Sequence, residues 1–241
     1  MKDQLTSTSS YKEIIARMDK LSTAALCDAH SDVSVMEGGL RTFNRDPLTR
    51  VVGRAYTVNS AGDALSTMVA LDDLPNFILE LGCKDDRVPF LLIIASCGTK
   101  LDMLGGMCAE TAKLKGYGGI ITDGNCRDVA EIQNNGLPVF AKGTYPRSTP
   151  KQTVGKVKIP ITCGDVYVNP GDIVMADSDG IIVLSKETAI AAVNKAEVNE
   201  EKEAIARKEI QGGARFDEIC NLKEHIEKRQ REEPSTLNLT I

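Results

Sequence analysis

An apolar run with β character, Gly118-Gly119-Ile120-Ile121-Thr122, feeds straight into the turn Asp123-Gly124-Asn125-Cys126 and delivers Arg127 and Asp128 to the start of a predicted helix. The same order stands upstream. Phe90 to Ala95 is a continuous apolar run, as expected of a strand covered on both faces, and the turn Ser96 to Lys100 follows it. A helix is then predicted from about Gly105 to Lys115, with Gly116 as its stop. Strand Gly119 to Thr122, helix Asp128 to Asn134, the Asn135-Gly136 exit and strand Leu137 to Ala141 complete a β-α-β-α-β run. Such alternation specifies an α/β fold around a parallel sheet.

The flanking regions add to this frame. Tyr11 to Lys20 places Ile14, Ile15 and Met18 at helical spacing, and Ser22 can cap a second helix from Thr23 towards His30. Val51 to Val58 reads as a strand. Asp63 can cap a helix through Leu71, and Pro75 is expected to prevent its continuation. From Thr153 the pattern turns to short β runs at Val154 to Ile159, Val166 to Asn169, Ile173 to Asp177 and Ile181 to Leu184. Pro170-Gly171-Asp172 and Ser178-Asp179-Gly180 separate the last three by tight turns. A charged helix from about Lys186 to Lys208, a Gly212-Gly213 break and a helical piece through Arg229 end the chain. The β-rich second half argues against a TIM barrel, and Gly116-Tyr117-Gly118-Gly119 precedes a strand instead of opening a helix, against a Rossmann fold. One domain over 1–241 is the economical reading, with a core at about 11–185 and a helical C-terminal arm at about 186–230.

Composition narrows the function. With 241 residues, 42% of them hydrophobic, the chain can bury a sizeable core. A net charge of −5 leaves no basic stripe to displace counterions from nucleic acid or to meet an anionic membrane. Trp is absent and aromatics are 4%, so base-stacking platforms are not expected either. Cys27, Cys83, Cys97, Cys108, Cys126, Cys163 and Cys220 are scattered without a C-x-x-C pair, which reads as reduced thiols. The polar Met1 to Ser10 lacks a signal core, and Val88 to Cys97 is too short to span a bilayer. A soluble, cytoplasmic protein is the expectation.

The turns carry the chemistry. A strand-to-helix turn offers free N–H groups and a positive dipole end to an anion. Arg127 adds a planar fork suited to a carboxylate, and Asp128 a hard oxygen suited to a divalent cation. The same residues also admit a structural reading, since Asp128 with Glu131 is close to a capping box. A second candidate, Asp102-Met103-Leu104-Gly105-Gly106-Met107-Cys108-Ala109-Glu110, precedes the earlier helix, where paired glycines let a ligand approach backbone amides. In a parallel sheet both turns lie at the carboxyl ends of strands, where such sheets bind ligands. Lys142, ending the strand Pro138 to Ala141, is a rival as a Schiff-base lysine. His30 and His225 show no metal-ligand spacing, and no base is identifiable for Cys126.

Taken in order, Leu104-Gly105-Gly106-Met107, Gly118 to Asp128, Leu137-Pro138-Val139-Phe140 and Val168-Asn169-Pro170-Gly171-Asp172 through Gly180 resemble the RraA-like family, with weaker similarity at Thr23 to Ala29. That family includes regulators of ribonuclease E activity and class II 4-hydroxy-4-methyl-2-oxoglutarate aldolases. The resemblance implies an α/β/β/α swivelling-domain sandwich assembled as a trimer or a dimer of trimers. It implies that Asp128 holds Mg²⁺ or Mn²⁺, that Arg127 binds a 2-oxo acid, and that the backbone of Gly105, Gly106, Met107 and Cys108 holds its carboxylate. Arg127 and Asp128 are the implied catalytic pair. The implied activity is cleavage of a C–C bond through a pyruvate enolate, as a 4-hydroxy-4-methyl-2-oxoglutarate aldolase, an oxaloacetate decarboxylase, or both. Where the family's aldolases carry an aspartate this chain has Gly106, a form similar to members noted for oxaloacetate decarboxylation. The base is then unassigned, with Asp123, Glu131 or a glutamate from a neighbouring chain's arm as candidates. A non-catalytic regulator that binds a ribonuclease, and an enzyme of the same fold acting on another sugar acid, are the alternatives.

Overall fold

The computed structural model describes residues 4–82 and 88–240; Cys83 lies outside them. Helices α1 (Tyr11–Met18) and α2 (Thr23–Ala29) lead through the short strands β1 (Ser34–Val35) and β2 (Arg41–Thr42) to β3 (Val51–Asn59). Next come α3 (Leu65–Glu80), β4 (Phe90–Ala95), β5 (Asp102–Leu104), α4 (Gly106–Leu114), β6 (Tyr117–Thr122), β7 (Asn125–Cys126) and α5 (Val129–Asn135). Strands β8 (Val139–Ala141), β9 (Gly143–Thr144), β10 (Lys156–Val157), β11 (Ile161–Cys163), β12 (Val166–Val168), β13 (Ile173–Ala176) and β14 (Ile181–Leu184) follow. Helices α6 (Lys186–Gln211), α7 (Phe216–Ile219) and α8 (Leu222–Gln230) end the chain. The α/β class is as the alternation predicts.

The large sheet runs β1-β14-β13-β3-β4-β6-β8-β2, with β10 added beside β3. Its centre, β3-β4-β6-β8, is parallel, and the flanking pairs are antiparallel. Side-chain alternation sends Leu91, Ile93, Ala95, Ile121 and Phe140 to one face. The β11–β12 ribbon covers them with Ile161, Cys163, Val166 and Val168, forming a second β layer. Strand β11 was not foreseen, because its three residues are too few for a period to show.

On the other face Tyr56 and Tyr117 meet edge to face at 5.9 Å, and Phe77 of α3 lies 4.9 Å from Tyr56 and 5.7 Å from Phe90. The Tyr117 hydroxyl donates to the Ala70 carbonyl at 2.7 Å. These contacts explain why α3 does not stop before Pro75. The proline sits inside the helix, and Leu71, Leu74 and Phe77 on either side of it are buried. Tertiary packing there outweighs the lost hydrogen bond, correcting the expectation of a break. Elsewhere the caps are as expected: Ser22 accepts from Ala25 N–H at 3.0 Å, and Gly116 and Gly136 close their helices at φ +91° and +75°.

The chain divides into two compact units, Met1–Val193 and Asn194–Ile241, with the division inside α6. Within the second, Asp217 pairs with Arg215 at 2.8 Å and Lys223 at 2.7 Å, and Cys220 bridges to Leu239. No helix among the described residues is long and apolar enough to cross a membrane.

Phe77 is 3% exposed at the centre of the aromatic cluster. Phe77→Ala is expected to cost about 3–5 kcal/mol in denaturant unfolding; a loss under about 1 kcal/mol would show that the cluster does not anchor α3.

Candidate active site

A three-stranded parallel sheet, β5-β7-β9, continues the chain beyond β4, β6 and β8. It draws the two glycine-bearing turns together, and Arg127 N–H donates to the Leu104 carbonyl at 3.0 Å. The motif around Gly105 and the motif around Arg127 therefore form one locus.

Asp128 adopts the left-handed region at φ +55°, ψ +42°, immediately before α5. Its side chain makes no cap hydrogen bond. The carboxylate instead accepts from the Gly106 N–H at 3.2 Å and lies 3.4 Å from Arg127 Nε. The capping-box reading of Asp128 and Glu131 thus fails on geometry. A non-glycine residue in this region is uncommon and is found disproportionately where function holds a side chain in place.

The paired glycines have separate reasons. A Cβ on Gly105 would come within 2.5 Å of Asp128 Oδ2 and 3.3 Å of Arg127, so the bare backbone is what admits both side chains. A Cβ on Gly106 would meet Glu131 at 2.0 Å from Oε2 and 2.5 Å from Cβ. Position 106, where the resemblance implies an aspartate in the family's aldolases, is therefore closed to a side chain by Glu131. The Gly106 N–H is also committed to Asp128, so Gly106 is not free to hold a substrate carboxylate as the resemblance implied.

Gly105, Met107, Cys108, Arg127 and Asp128 line one cavity of about 100 Å³ with Asp102, Ser148 and Lys151. Gly106 and Glu131 line a different cavity, and so do Asp123 and Lys142. Both oxygens of Asp123 are already taken, by Ser96 N–H at 2.6 Å and Gly164 N–H at 3.3 Å. Asp123, Glu131 and Lys142 therefore do not line the cavity that holds Arg127 and Asp128. The cavity thiol Cys108 and the buried Cys126 behind it are suppressed: burial and the Asp102 charge push Cys108 up to about 12, and burial pushes Cys126 up to about 11.

Sequence reasoning missed Ser148 and Lys151, and quoted Asp102 without a role. Lys151 Nζ donates to Ser148 Oγ at 2.9 Å. Their loop is carried to the cavity by a buried clamp. Asp63 accepts N–H bonds from Leu65 at 3.0 Å, Gln152 at 2.9 Å and Thr153 at 3.3 Å, while Thr149 Oγ1 accepts from Ala64 N–H at 3.0 Å. A contact spanning 89 residues leaves no periodic signal. The positive φ of Lys151, +58°, is visible only in three dimensions.

Burial pushes the Asp63 carboxyl up, but the amides of Gln152, Leu65, Thr153 and Lys151 outweigh it and hold it below its ordinary 3.8. With a depressed folded value, its stabilisation is complete above 3.8 and is lost as pH falls through that lower value. Asp63→Asn should therefore lower Tm at pH 7 and converge on the unsubstituted protein in strong acid. An equal Tm difference at both ends of the pH range would remove the clamp from the account.

Comparison with known proteins gives the family. A family model described as RraA-like, Aldolase/RraA, matches residues 23–183, which include all the cavity residues named above. A protein of Halalkalibacterium halodurans named "Putative 4-hydroxy-4-methyl-2-oxoglutarate aldolase" is 28% identical over 218 residues, 90% of this chain and 95% of its own length. A Pseudomonas aeruginosa protein of the same name is 32% identical over 162 residues, 67% of this chain and 92% of its own. Among solved structures, the RNA-processing inhibitor RraA from Thermus thermophilis superposes with a TM-score of 0.55 at 25% identity, covering 68% of this chain and 92% of the other. On the sequence motifs, the fold and the span matched, the chain belongs to the RraA-like family.

Proposed function

We propose that this chain is a divalent-metal-dependent lyase that cleaves a C–C bond of a 2-oxo acid, leaving the electron pair on a pyruvate enolate. The observation that carries the reading is Arg127 Nε lying 3.6 Å from Asp102 Oδ2 and 3.4 Å from Asp128 Oδ2, at the N-terminus of α4. The aldolase names of the relatives support it.

The chain's own groups divide the work. The cap residue Gly105 offers α4 no side-chain acceptor, so first-turn N–H groups at Met107 and Cys108 are available to a substrate carboxylate. Arg127 faces the 2-oxo group and stabilises the negative charge that develops as the bond breaks. Lys151 supplies a second cation on the same cavity wall, suited to a substrate with a further carboxylate.

The donor set fits Mg²⁺ or Mn²⁺ in a specific way. Among the described residues no three His, Cys, Asp or Glu side chains are grouped to hold a metal. Asp128, with its side chain 38% exposed and one carboxylate oxygen unengaged, would be the protein ligand, and such cations commonly retain waters alongside one or two carboxylates. When bound, the cation supplies Lewis-acid polarisation of the keto oxygen. Arg127 and Lys151 offset Asp102 and Asp128, so a dication with a doubly charged acid leaves the cavity close to neutral. A trimer or a dimer of trimers belongs to the same proposal, and sedimentation gives the mass directly.

The test is pyruvate release from a panel of 2-oxo acids, above the protein-free rate, with Mg²⁺, Mn²⁺ or EDTA. Cation-dependent pyruvate from 4-hydroxy-4-methyl-2-oxoglutarate or oxaloacetate is expected; release that persists in EDTA, or none at all, overturns the reading. Asp128→Ala should abolish turnover and Mn²⁺ binding while the circular dichroism spectrum stays native. Arg127→Lys should lose at least about tenfold in kcat/KM, because an ammonium cannot reproduce a planar two-point contact. Full activity in the lysine variant would reduce Arg127 to a generic charge.

A further inference from the structure

Aldol cleavage needs a group that removes the proton from the substrate hydroxyl, and the residues first considered for that task lie elsewhere. Asp123 and Glu131 line other cavities, and position 106 has no room for a carboxylate. Asp102 is different. It lines the same cavity as Arg127 and Asp128, on the strand that leads into α4, and is 3% exposed. Its Oδ2 lies 3.6 Å from Arg127 Nε; Ser148 and the Thr149 amide lie near enough to act on the carboxyl, yet its buried Oδ1 closes a hydrogen bond with neither. A buried carboxylate oxygen left unpaired is costly, and is accounted for when a ligand supplies the missing donor.

We infer that Asp102 is the base that accepts the hydroxyl proton in aldol cleavage, an assignment that rests on the lyase reading above. The hydroxyl donates to Oδ1, the proton passes to Asp102, and the C–C bond breaks with its electron pair left on the pyruvate-derived carbon as the enolate. The hydroxyl oxygen becomes the carbonyl of the released oxo acid. The proton then returns from Asp102 to the enolate carbon, giving pyruvate and restoring the carboxylate.

The surroundings suit a base. Burial pushes the Asp102 carboxyl up, while Arg127, Ser148, Lys151 and the Thr149 amide pull against that rise without cancelling it. Asp128 shares the Arg127 guanidinium with it in the same cavity, and the thiols near it, Cys108 and Cys126, stay neutral at working pH. A carboxylate whose affinity for protons is raised is the better base.

Decarboxylation of oxaloacetate has no hydroxyl to deprotonate, so the two reactions separate this role from a structural one. Asp102→Asn should lower aldol cleavage by about a hundredfold with KM little moved, the usual scale for a lost general base. Decarboxylation should fall by no more than about tenfold, through the weakened hold on Arg127. Equal losses in both reactions, or no loss in cleavage, overturn the assignment. The unsubstituted enzyme provides the second measurement, so a variant that fails to fold does not end the test. Cleavage should fall on an acidic limb, above the ordinary aspartate value of 3.8, that decarboxylation lacks. Coincident pH profiles overturn the role of Asp102 alone, whereas an unsubstituted protein inactive on both substrates overturns the lyase reading and this assignment with it.

Discussion

Everything at the site depends on where the Asp128 carboxylate goes. At the start of α5 the ordinary outcome for an aspartate is to cap its own helix. Here the left-handed backbone turns it to the Gly106 amide and Arg127 Nε, joining the ends of the two βα turns. The arrangement is permitted only because Gly105 has no Cβ. Two helix N-termini, one guanidinium and two carboxylates then share a volume that neither turn could enclose alone. The backbone strain at Asp128 is compensated by the β5-β7-β9 sheet, which ties both turns to the ends of the central strands.

Burial decides what each group in that volume can do. The thiols of Cys108 and Cys126 are pushed too high to ionise near neutrality, so the cysteines beside the site are packing residues. On the lyase reading, the same low-polarity surroundings strengthen the attraction of Arg127 for negative charge that develops on the substrate. The loop bearing Ser148 and Lys151 closes one side of the cavity, and the Asp63 clamp makes that loop part of the frame.

Much of the frame was legible in the sequence because its signals are local. Phe90 to Ala95 has no polar interruption, Ser22 stands where a cap must, and Gly116 and Gly136 end helices as their conformational freedom allows. Arg127, Asp128 and Gly105 were legible for the same reason, since a strand-to-helix turn is written in consecutive residues. Pro75 misled because its local rule is true, yet Leu74 and Phe77 bury enough surface to overrule it. The role of Gly106 was misread because the obstacle, Glu131, is a spatial neighbour 25 positions away. Ser148 and Lys151 reach the cavity through hydrogen bonds between distant segments, which no spacing in the chain announces.

The central claim is that Arg127 and Asp128, joined across the two turns, form the binding centre for a 2-oxo acid. Oxalate mimics the planar, doubly oxygenated face of a pyruvate enolate, so its position reports that centre directly. A crystal structure of the protein with Mn²⁺ and oxalate should show both between the Asp128 carboxylate, the Arg127 guanidinium and the first turn of α4. Oxalate and Mn²⁺ bound instead in the cavity of Asp123 and Lys142, with the Arg127 cavity empty, would contradict the account.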